Sequence, residues 1–244
     1  MTETTRSLQI EAKPSPLAIY PDKTAVIVVD MQNDFAAEGG MFDRAGVPVS
    51  AARAAIQPTA RVLAAARAAG MKVVYLKMAF ESDLSNLGGP DAPNRVRHLA
   101  FGVGQPVETP AGGTGRFLIK DTWNTDILSE LTPEPDDIVV SKHRYSGFFE
   151  TTLDATLKEL GIKQLVFTGV TCSVCVESTL RDAFYRDYQC LLLADCTAEP
   201  IGSEFGRSNR EASLLVIEKL FGWISDSASL LRALAGQPVA AAVP

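Results

Sequence analysis

The sequence predicts one α/β domain with an open, mostly parallel sheet and helices on both faces. Short apolar runs rich in β-branched residues alternate with segments of helical periodicity along most of the chain. Runs that are apolar at every position are typical of strands covered on both faces, as in a parallel sheet. The length of 244 residues suits one such domain, and no internal repeat or linker divides the chain.

Predicted strands and helices follow one another in order. The first strand ends in an acid, Asp30, and the first helix is rich in Ala and ends before Gly70, a typical helix terminator. The predicted strands span residues 24–30, 72–78, 137–142, 164–168 and 190–195. The predicted helices span residues 50–69, 152–160, 173–188, 210–221 and 227–234. This alternation is the pattern of a parallel sheet wrapped by helices.

Three stretches lie outside this alternation. Residues 1–22 hold three prolines and show little periodicity, so we predict an irregular N-terminal arm before a domain at residues 23–236. Residues 237–244 predict a C-terminal tail rich in Ala and Pro. Residues 79–125 are rich in Gly, Pro and Asp, and loops of this length in a compact domain usually contribute to function.

The composition argues against several classes of protein. The formal net charge is −6 and the basic residues are scattered, so the chain offers no patch that would attract nucleic acid. No run approaches the roughly 18 apolar residues of a membrane span, and the N-terminal stretch lacks the apolar core of a signal peptide. We therefore expect a cytoplasmic protein without nucleic-acid or membrane partners.

The four cysteines lie in the second half of the chain and are expected to be thiols in a cytoplasmic protein. Cys172 and Cys175 form a C-x-x-C pair, which suits a redox pair, half of a metal site, or one catalytic thiol with a bystander. A metal site would need further ligands, and the chain has two histidines. We therefore expect no metal and no cofactor.

The chemistry of an open parallel sheet is expected where its strands end. Asp30 ends the first strand, Lys142 ends the third, and Cys175 follows the fourth, early in the next helix. A helix start and a nearby ammonium both favour thiolate, a carboxylate could accept the thiol proton, and backbone N–H groups of the turn could bind an oxyanion. Each residue alone also fits an ordinary role, as a buried thiol, a cap or a solvated lysine.

Three segments resemble the signature segments of isochorismatase-like cysteine hydrolases. They are VVDMQNDF at residues 28–35, KHRYSGFFETTLD at residues 142–154 and FTGVTCSVCVESTLRDAF at residues 167–184. The resemblance implies a three-layer, Rossmann-like fold and a catalytic triad of Asp30, Lys142 and Cys175. It also implies a cis peptide bond at Val170–Thr171 and oxyanion donors in the backbone N–H groups of Thr171 and Cys175.

Within this family the sequence is most similar to the ureidoacrylate amidohydrolases of pyrimidine breakdown. The similar segments are GGPDAPN at residues 88–94, RYSGFF at residues 144–149, CVESTLRDAF at residues 175–184 and FGWISD at residues 221–226. This implies a cysteine amidohydrolase that cleaves a small ureide through a covalent thioester-type intermediate and releases carbamate, or ammonia and carbon dioxide. Biuret, triuret and N-carbamoyl amino acids are alternative substrates for the same triad. A thiol redox protein that uses the C-x-x-C pair is the alternative from another class.

Four side chains near the triad or on the long loop are candidates for substrate binding. They are Asn33, Phe35, Asn94 and Tyr145, and each also fits packing or loop capping. The early histidine ligands of the metal-dependent nicotinamidase branch have no counterpart after residues 72–78. We further expect a homo-oligomer, either a dimer or a tetramer, that acts on a small ureide or amide.

Overall fold

The computed structural model describes residues 7–236 apart from 203 and 205. Its strands are β1 (Leu8–Ile10), β2 (Leu17–Ile19), β3 (Thr24–Val29), β4 (Lys72–Met78), β5 (Pro106–Glu108), β6 (Thr114–Arg116), β7 (Ile138–Lys142), β8 (Gln164–Val170), β9 (Gln189–Ala198) and β10 (Trp223–Ser225). Six of them form one sheet in the order β10-β9-β8-β3-β4-β7, and every neighbouring pair in it is parallel. The predicted α/β fold is therefore confirmed.

The α-helices lie on both faces of this sheet. They are α1 (Asn33–Ala36), α2 (Met41–Arg44), α3 (Ser50–Ala54), α4 (Ile56–Ala68), α5 (Pro93–Ala100), α6 (Leu153–Glu159), α7 (Glu177–Phe184), α8 (Asn209–Val216) and α9 (Ser227–Leu234). Two π-helical turns, Cys172–Val176 and Ile217–Phe221, adjoin α7 and α8. Within the part of the chain that the structure describes, no helix is long and apolar enough to span a membrane.

Two apolar layers, one on each face of the sheet, form the core. Along β3, Val26 and Val28 belong to one layer, whereas Ala25, Ile27 and Val29 belong to the other. Successive side chains of a strand point to opposite faces, so a strand buried on both faces must be apolar at every position. Helices α4 and α9 cover the first layer, and α6 and α7 cover the second.

The N-terminal segment differs from the predicted irregular arm. Strands β1 and β2 pair as an antiparallel hairpin, and all four outer residues, Leu8, Ile10, Leu17 and Ile19, are buried in the first apolar layer. The prediction is therefore wrong for residues 7–22. Prolines suggested irregular structure there, but two of the three lie between the strands, where no ladder hydrogen bond is needed. Residues 1–6 and the predicted tail at 237–244 lie outside the described residues.

Other differences concern the ends of elements. The helix predicted at residues 50–69 is divided at Ala55 into α3 and α4, and the helix predicted at 173–188 begins with the π-helical turn. The edge strand β10 and the hairpin of β5 and β6 were not predicted. These strands have three residues each, too few to show a period. The predicted loop-rich insertion at residues 79–125 is confirmed, since its longest regular piece is α5.

Ile10→Ala tests whether the N-terminal hairpin belongs to the core. Ile10 is fully buried, so truncation should lower the free energy of unfolding by about 2 to 5 kcal/mol, measured by denaturant titration. Leu220→Ala is the control, because Leu220 is 64% exposed and its loss should change stability by less than about 0.5 kcal/mol. Equal small effects in both variants would make the hairpin a dispensable arm.

Candidate active site

A buried ion pair joins the carboxyl ends of two strands of the sheet. Asp30 directly follows β3, Lys142 ends β7, and the Asp30 Oδ2 atom lies 2.7 Å from the Lys142 Nζ atom. Both residues are fully buried. The Met78 N–H, at the end of the intervening strand β4, donates to Asp30 Oδ1 at 3.1 Å, and Lys142 Nζ donates to the Arg144 carbonyl at 3.2 Å. These hydrogen bonds offset part of the free energy that the two charged groups lose when they are removed from water.

The Cys175 thiol completes this cluster from the π-helical turn after β8. Its side chain is buried, and the charges of both Asp30 and Lys142 act on it. Burial raises the pKa of the thiol, the Lys142 charge opposes that rise, and the Asp30 charge adds to it. The loss of water on burial therefore opposes the thiolate that the helix start and the ammonium favour.

The other two members of the cluster hold complementary protonation states. Burial raises the pKa of Asp30 above its usual range, although the Lys142 charge and the hydrogen bonds to the carboxyl oppose the rise. For Lys142, burial alone would lower the pKa, but the charge of Asp30, with a smaller contribution from Cys175, outweighs burial and raises the pKa. Lys142 therefore stays an ammonium, and Asp30 is a stronger base than an exposed aspartate. This arrangement suits proton transfer from Cys175 to Asp30.

Backbone contacts fix the turn that carries Cys175. The Thr171 carbonyl accepts from the N–H groups of Val174 and Val176 at 3.1 and 3.2 Å, and the Glu199 carboxylate accepts from the Ser173 N–H at 2.7 Å. The Val170–Thr171 peptide bond is cis, as predicted. These contacts place Cys175 beside the end of β3.

The strand before that turn needs a glycine to reach β3. Gly169 has a φ of 109°, and a Cβ atom there would lie 2.0 Å from the Val29 carbonyl oxygen. Only a residue without a side chain permits this approach of β8 to β3. Gly169 therefore helps to bring the nucleophile turn towards Asp30, which follows Val29.

A cavity of about 420 Å³ opens above the cluster. Asp30 and Cys175 form part of its wall, and His98 and Tyr145 are further polar members. The rest of the wall is mainly apolar and includes Phe35, Met41, Phe42, Phe101, Leu118 and Ile201. The volume lies in the range of pockets that bind small molecules, and the reactive groups sit where a bound molecule would touch them.

The four candidate substrate-binding residues divide into two pairs. Phe35 and Tyr145 line the cavity. Asn33 and Asn94 do not belong to its described wall, and their side-chain amides donate to the carbonyls of Trp123 at 2.7 Å and Leu87 at 3.1 Å. Asn side chains near chain turns commonly satisfy backbone carbonyls, which the sequence alone does not distinguish from ligand binding.

Several cavity residues were not predicted from the sequence. His98 and Phe101 lie on or directly after α5, and Met41 and Phe42 begin α2. Pro93 at the start of α5 is a typical first helical residue and could have located this helix. The side chains that α5 directs at the cavity depend on how the long insertion folds back, which is not a local property of the sequence.

Asp34 was also missed, although it anchors the cavity wall. Its carboxylate accepts from the N–H groups of Met41 at 2.9 Å and Leu118 at 2.6 Å, and from the Asn124 side chain at 2.6 Å. Burial raises the pKa of Asp34 to about 6 against these three donors. One buried carboxylate thus ties α2 and the long insertion together, and two of its partners, Met41 and Leu118, line the cavity.

The isochorismatase domain family matches residues 24–229. The chain belongs to this family. It is 43% identical over 226 residues to ureidoacrylate amidohydrolase RutB of Variovorax paradoxus, covering 93% of this chain and 87% of that protein. It is 42% identical over 238 residues to the protein of the same name from Stutzerimonas stutzeri, covering 98% and 93%.

Solved structures agree with this assignment. A cysteine hydrolase from Pseudomonas syringae pv. phaseolicola superposes with a TM-score of 0.76 at 29% identity, covering 97% of this chain and 99% of that one. N-carbamoylsarcosine amidase from Thermoplasma acidophilum superposes with a TM-score of 0.61 at 26% identity, covering 84% and 96%. The predicted family is confirmed, and so is the prediction of a hydrolase that acts on carbon–nitrogen bonds.

Among the residues that the structure describes, no three or more His, Cys, Asp or Glu side chains are grouped so that they could hold a metal ion.

Lys142→Met tests the ion pair. Removing the ammonium leaves the Asp30 carboxylate buried without its partner, so the free energy of unfolding should fall by about 3 to 5 kcal/mol and activity should be lost. Lys158→Met is the matched control, because Lys158 is exposed and pairs with Asp154 on the surface of α6. It should cost less than about 0.5 kcal/mol. Denaturant titration of both variants decides, and an active, fully stable Lys142→Met would contradict the proposed geometry.

Proposed function

We propose that this protein is a cysteine amidohydrolase that cleaves the ureide C–N bond of ureidoacrylate or a close analogue. The observation that carries the proposal is the buried cluster of Asp30, Lys142 and Cys175 on the wall of a small-molecule cavity. The two relatives named ureidoacrylate amidohydrolase support the substrate class, since they match almost the whole chain. In open parallel sheets, binding and catalytic sites lie beyond the carboxyl ends of the strands, and this cluster lies there.

The first half of the proposed reaction transfers a carbamoyl group to the enzyme. Asp30 takes the proton of Cys175 while the sulfur attacks the ureide carbonyl carbon, which gives a tetrahedral oxyanion. The oxyanion collapses, the C–N bond breaks, and Asp30 returns the proton to the leaving nitrogen. Lys142 remains an ammonium throughout and stabilises the negative charge that moves between Asp30 and the sulfur. The amine product leaves, and a carbamoyl thioester remains on Cys175.

The second half releases the carbamoyl group by the same chemistry in reverse. Asp30 takes a proton from water, the hydroxide attacks the thioester carbonyl, and the C–S bond breaks as Cys175 regains a proton. The product is carbamate, which decomposes to ammonia and carbon dioxide. We assign the oxyanion in both halves to the backbone N–H groups of Thr171 and Cys175, which lie in the turn that carries the nucleophile.

Other ureides remain candidates for the same cluster. Biuret, triuret and N-carbamoyl amino acids each present a carbonyl between two nitrogens, or a carbamoyl group on an amine. The structural likeness to N-carbamoylsarcosine amidase favours the last of these as a second candidate substrate class. The oligomeric state, a dimer or tetramer, and the cytoplasmic location stay predictions.

The redox alternative has less support than the hydrolase. Cys175 lines the cavity, whereas Cys172 is fully buried and does not belong to the described wall. Burial raises the pKa of Cys172 to about 12, partly opposed by a hydrogen bond with Thr197. A thiol that is not in contact with the cavity suits a bystander better than one half of an exchanging pair.

Ammonia release from a panel of ureides tests the proposed function. The panel contains ureidoacrylate, biuret, triuret and N-carbamoyl amino acids, and we expect ureidoacrylate to give the highest kcat/KM. Cys175→Ser should lower turnover by at least about a thousandfold, because a hydroxyl is far less acidic than a thiol.

Cys190→Ser is the matched control for that test. Cys190 is buried in the second apolar layer, distant in the chain from the turn that carries the nucleophile, and its Ser variant should stay active. A Cys175→Ser enzyme within about tenfold of the parent, with a native circular dichroism spectrum, would remove Cys175 from its role. Absence of ammonia release from every ureide would overturn the substrate class instead.

Cys172→Ala separates the hydrolase from the redox protein. In a hydrolase the Cys172 side chain fills space, so the variant should keep most activity and lose about 1 kcal/mol of stability. In a redox protein either single substitution should abolish activity, and the parent should contain a reducible bridge between Cys172 and Cys175. Thiol titration with and without reductant, together with the ammonia assay, decides. An inactive but folded Cys172→Ala would refute the one-thiol mechanism.

A further inference from the structure

A buried histidine on the cavity wall has no part in the cluster that performs the proposed reaction. His98 lies in the last turn of α5, is 3% exposed, and lines the same cavity as Asp30 and Cys175. Most of the wall around it is apolar. A polar side chain in such a place is costly unless its hydrogen-bonding groups are used.

One hydrogen bond shows which ring nitrogen of His98 carries the hydrogen. Its Nδ1 atom lies 2.7 Å from the Asn94 carbonyl oxygen, and a carbonyl oxygen only accepts, so Nδ1 carries the hydrogen. Among the residues described, none makes a hydrogen bond with Nε2. Burial lowers the pKa of His98, and the charges of Arg144 and Lys142 lower it further. The ring is therefore neutral at neutral pH, and its Nε2 atom is an acceptor without a partner in the described chain.

Neighbouring aromatic rings restrict the movement of this imidazole. Phe80 meets it edge to face with ring centroids 5.0 Å apart, and Tyr145 lies against it with centroids 5.6 Å apart. Phe80 is fully buried, and Tyr145 also lines the cavity. A ring held between two others by packing and by its Nδ1 hydrogen bond presents Nε2 in a fixed position.

A fixed, neutral acceptor in an apolar wall selects a particular kind of group. It forms no ion pair with a carboxylate, but an N–H donor stabilises the complex by a hydrogen bond to Nε2. A molecule without that donor would leave Nε2 unpaired. We propose that His98 accepts a hydrogen bond from an N–H group of the bound ureide and so selects substrates with N–H beside the reacting carbonyl. This inference rests on the proposed function, because an N–H group flanks the carbonyl in every ureide of the panel.

Two substitutions separate this role from a structural one. The amide of Asn reaches the position of Nδ1, so His98→Asn can keep the contact to the Asn94 carbonyl but loses the distal acceptor. The longer Gln side chain reaches the position of Nε2, so His98→Gln keeps the acceptor and loses the contact. We expect kcat/KM for the preferred ureide to fall at least about tenfold in His98→Asn and to stay within about threefold of the parent in His98→Gln. The reverse order, with a lower melting temperature for His98→Gln, would make the residue structural.

A change in the substrate tests the same contact from the other side. A carbamate ester carries an oxygen where the ureide carries the N–H of the leaving group, so it offers no donor there. The ratio of kcat/KM for the ureide to kcat/KM for the carbamate should be at least about tenfold lower in His98→Asn than in the parent. Comparing this ratio between the two enzymes cancels the intrinsic reactivity of each bond. An unchanged ratio would contradict a hydrogen bond to that nitrogen. The matching comparison uses a ureide dimethylated on its terminal nitrogen, which carries no N–H there and so covers the other position. Unchanged ratios in both comparisons would overturn the proposal.

Binding without turnover distinguishes the inference from the proposed function. In the Cys175→Ala background, calorimetry with ureidoacrylate and with biuret measures affinity alone. A weaker affinity on addition of His98→Asn, but not of His98→Gln, supports the acceptor role even where the parent releases no ammonia. Equal affinity in all three proteins overturns it while leaving the hydrolase intact. Absence of any ureide binding overturns both.

Discussion

The ion pair between Asp30 and Lys142 is the interaction on which the rest of the site depends. Burying a carboxylate and an ammonium costs several kcal/mol for each ion, and the pair offsets this cost only if its contact and its hydrogen bonds are well placed. The strand order provides that placement, since β4 lies between β3 and β7 and its terminal residue Met78 is in register with Lys142. The Met78 N–H then meets Asp30 from the strand between. The sheet register and the charge pair therefore support one another.

The short segment that follows Asp30 extends this support to the cavity. Gln32 donates to the carbonyls of Met78 at 3.0 Å and Thr125 at 2.9 Å, and so joins the end of β4 to the long insertion. Asp34 holds three further donors from α2 and the insertion, and Phe35 lines the cavity. Most side chains from Asp30 to Phe35 therefore make an identifiable contact with the site or with the insertion. In the proposed mechanism Asp30, at one end of this run, transfers protons. The middle of the run fixes the insertion, and the other end forms part of the cavity wall.

Features set by local sequence were predictable, and features set by the folded insertion were not. The apolar run of β3 and the Gly that ends the helix before β4 are local signals, so the layer architecture followed from them. The triad could be located because strand ends meet at one edge of a parallel sheet, and a resemblance in three segments chose among many strand-end residues. For Cys175, the helix start that favours thiolate is visible in the sequence, whereas the burial that raises the pKa of the thiol is not. Asn33 and His98 show the same limit: whether a polar side chain faces a carbonyl or a cavity is decided by residues far along the chain.

The low polarity of the cavity has opposite effects on the resting and the reacting site. Burial raises the pKa of the Cys175 thiol and so opposes the loss of its proton in the resting site. The same lack of water strengthens every hydrogen bond made to charge that appears during the reaction, because backbone N–H groups compete with no solvent. In the proposed mechanism, proton transfer to Asp30 accompanies the attack of the sulfur on a bound carbonyl. The apolar wall with one fixed neutral acceptor makes binding selective. A molecule without an N–H donor leaves the His98 Nε2 atom unpaired and therefore binds more weakly.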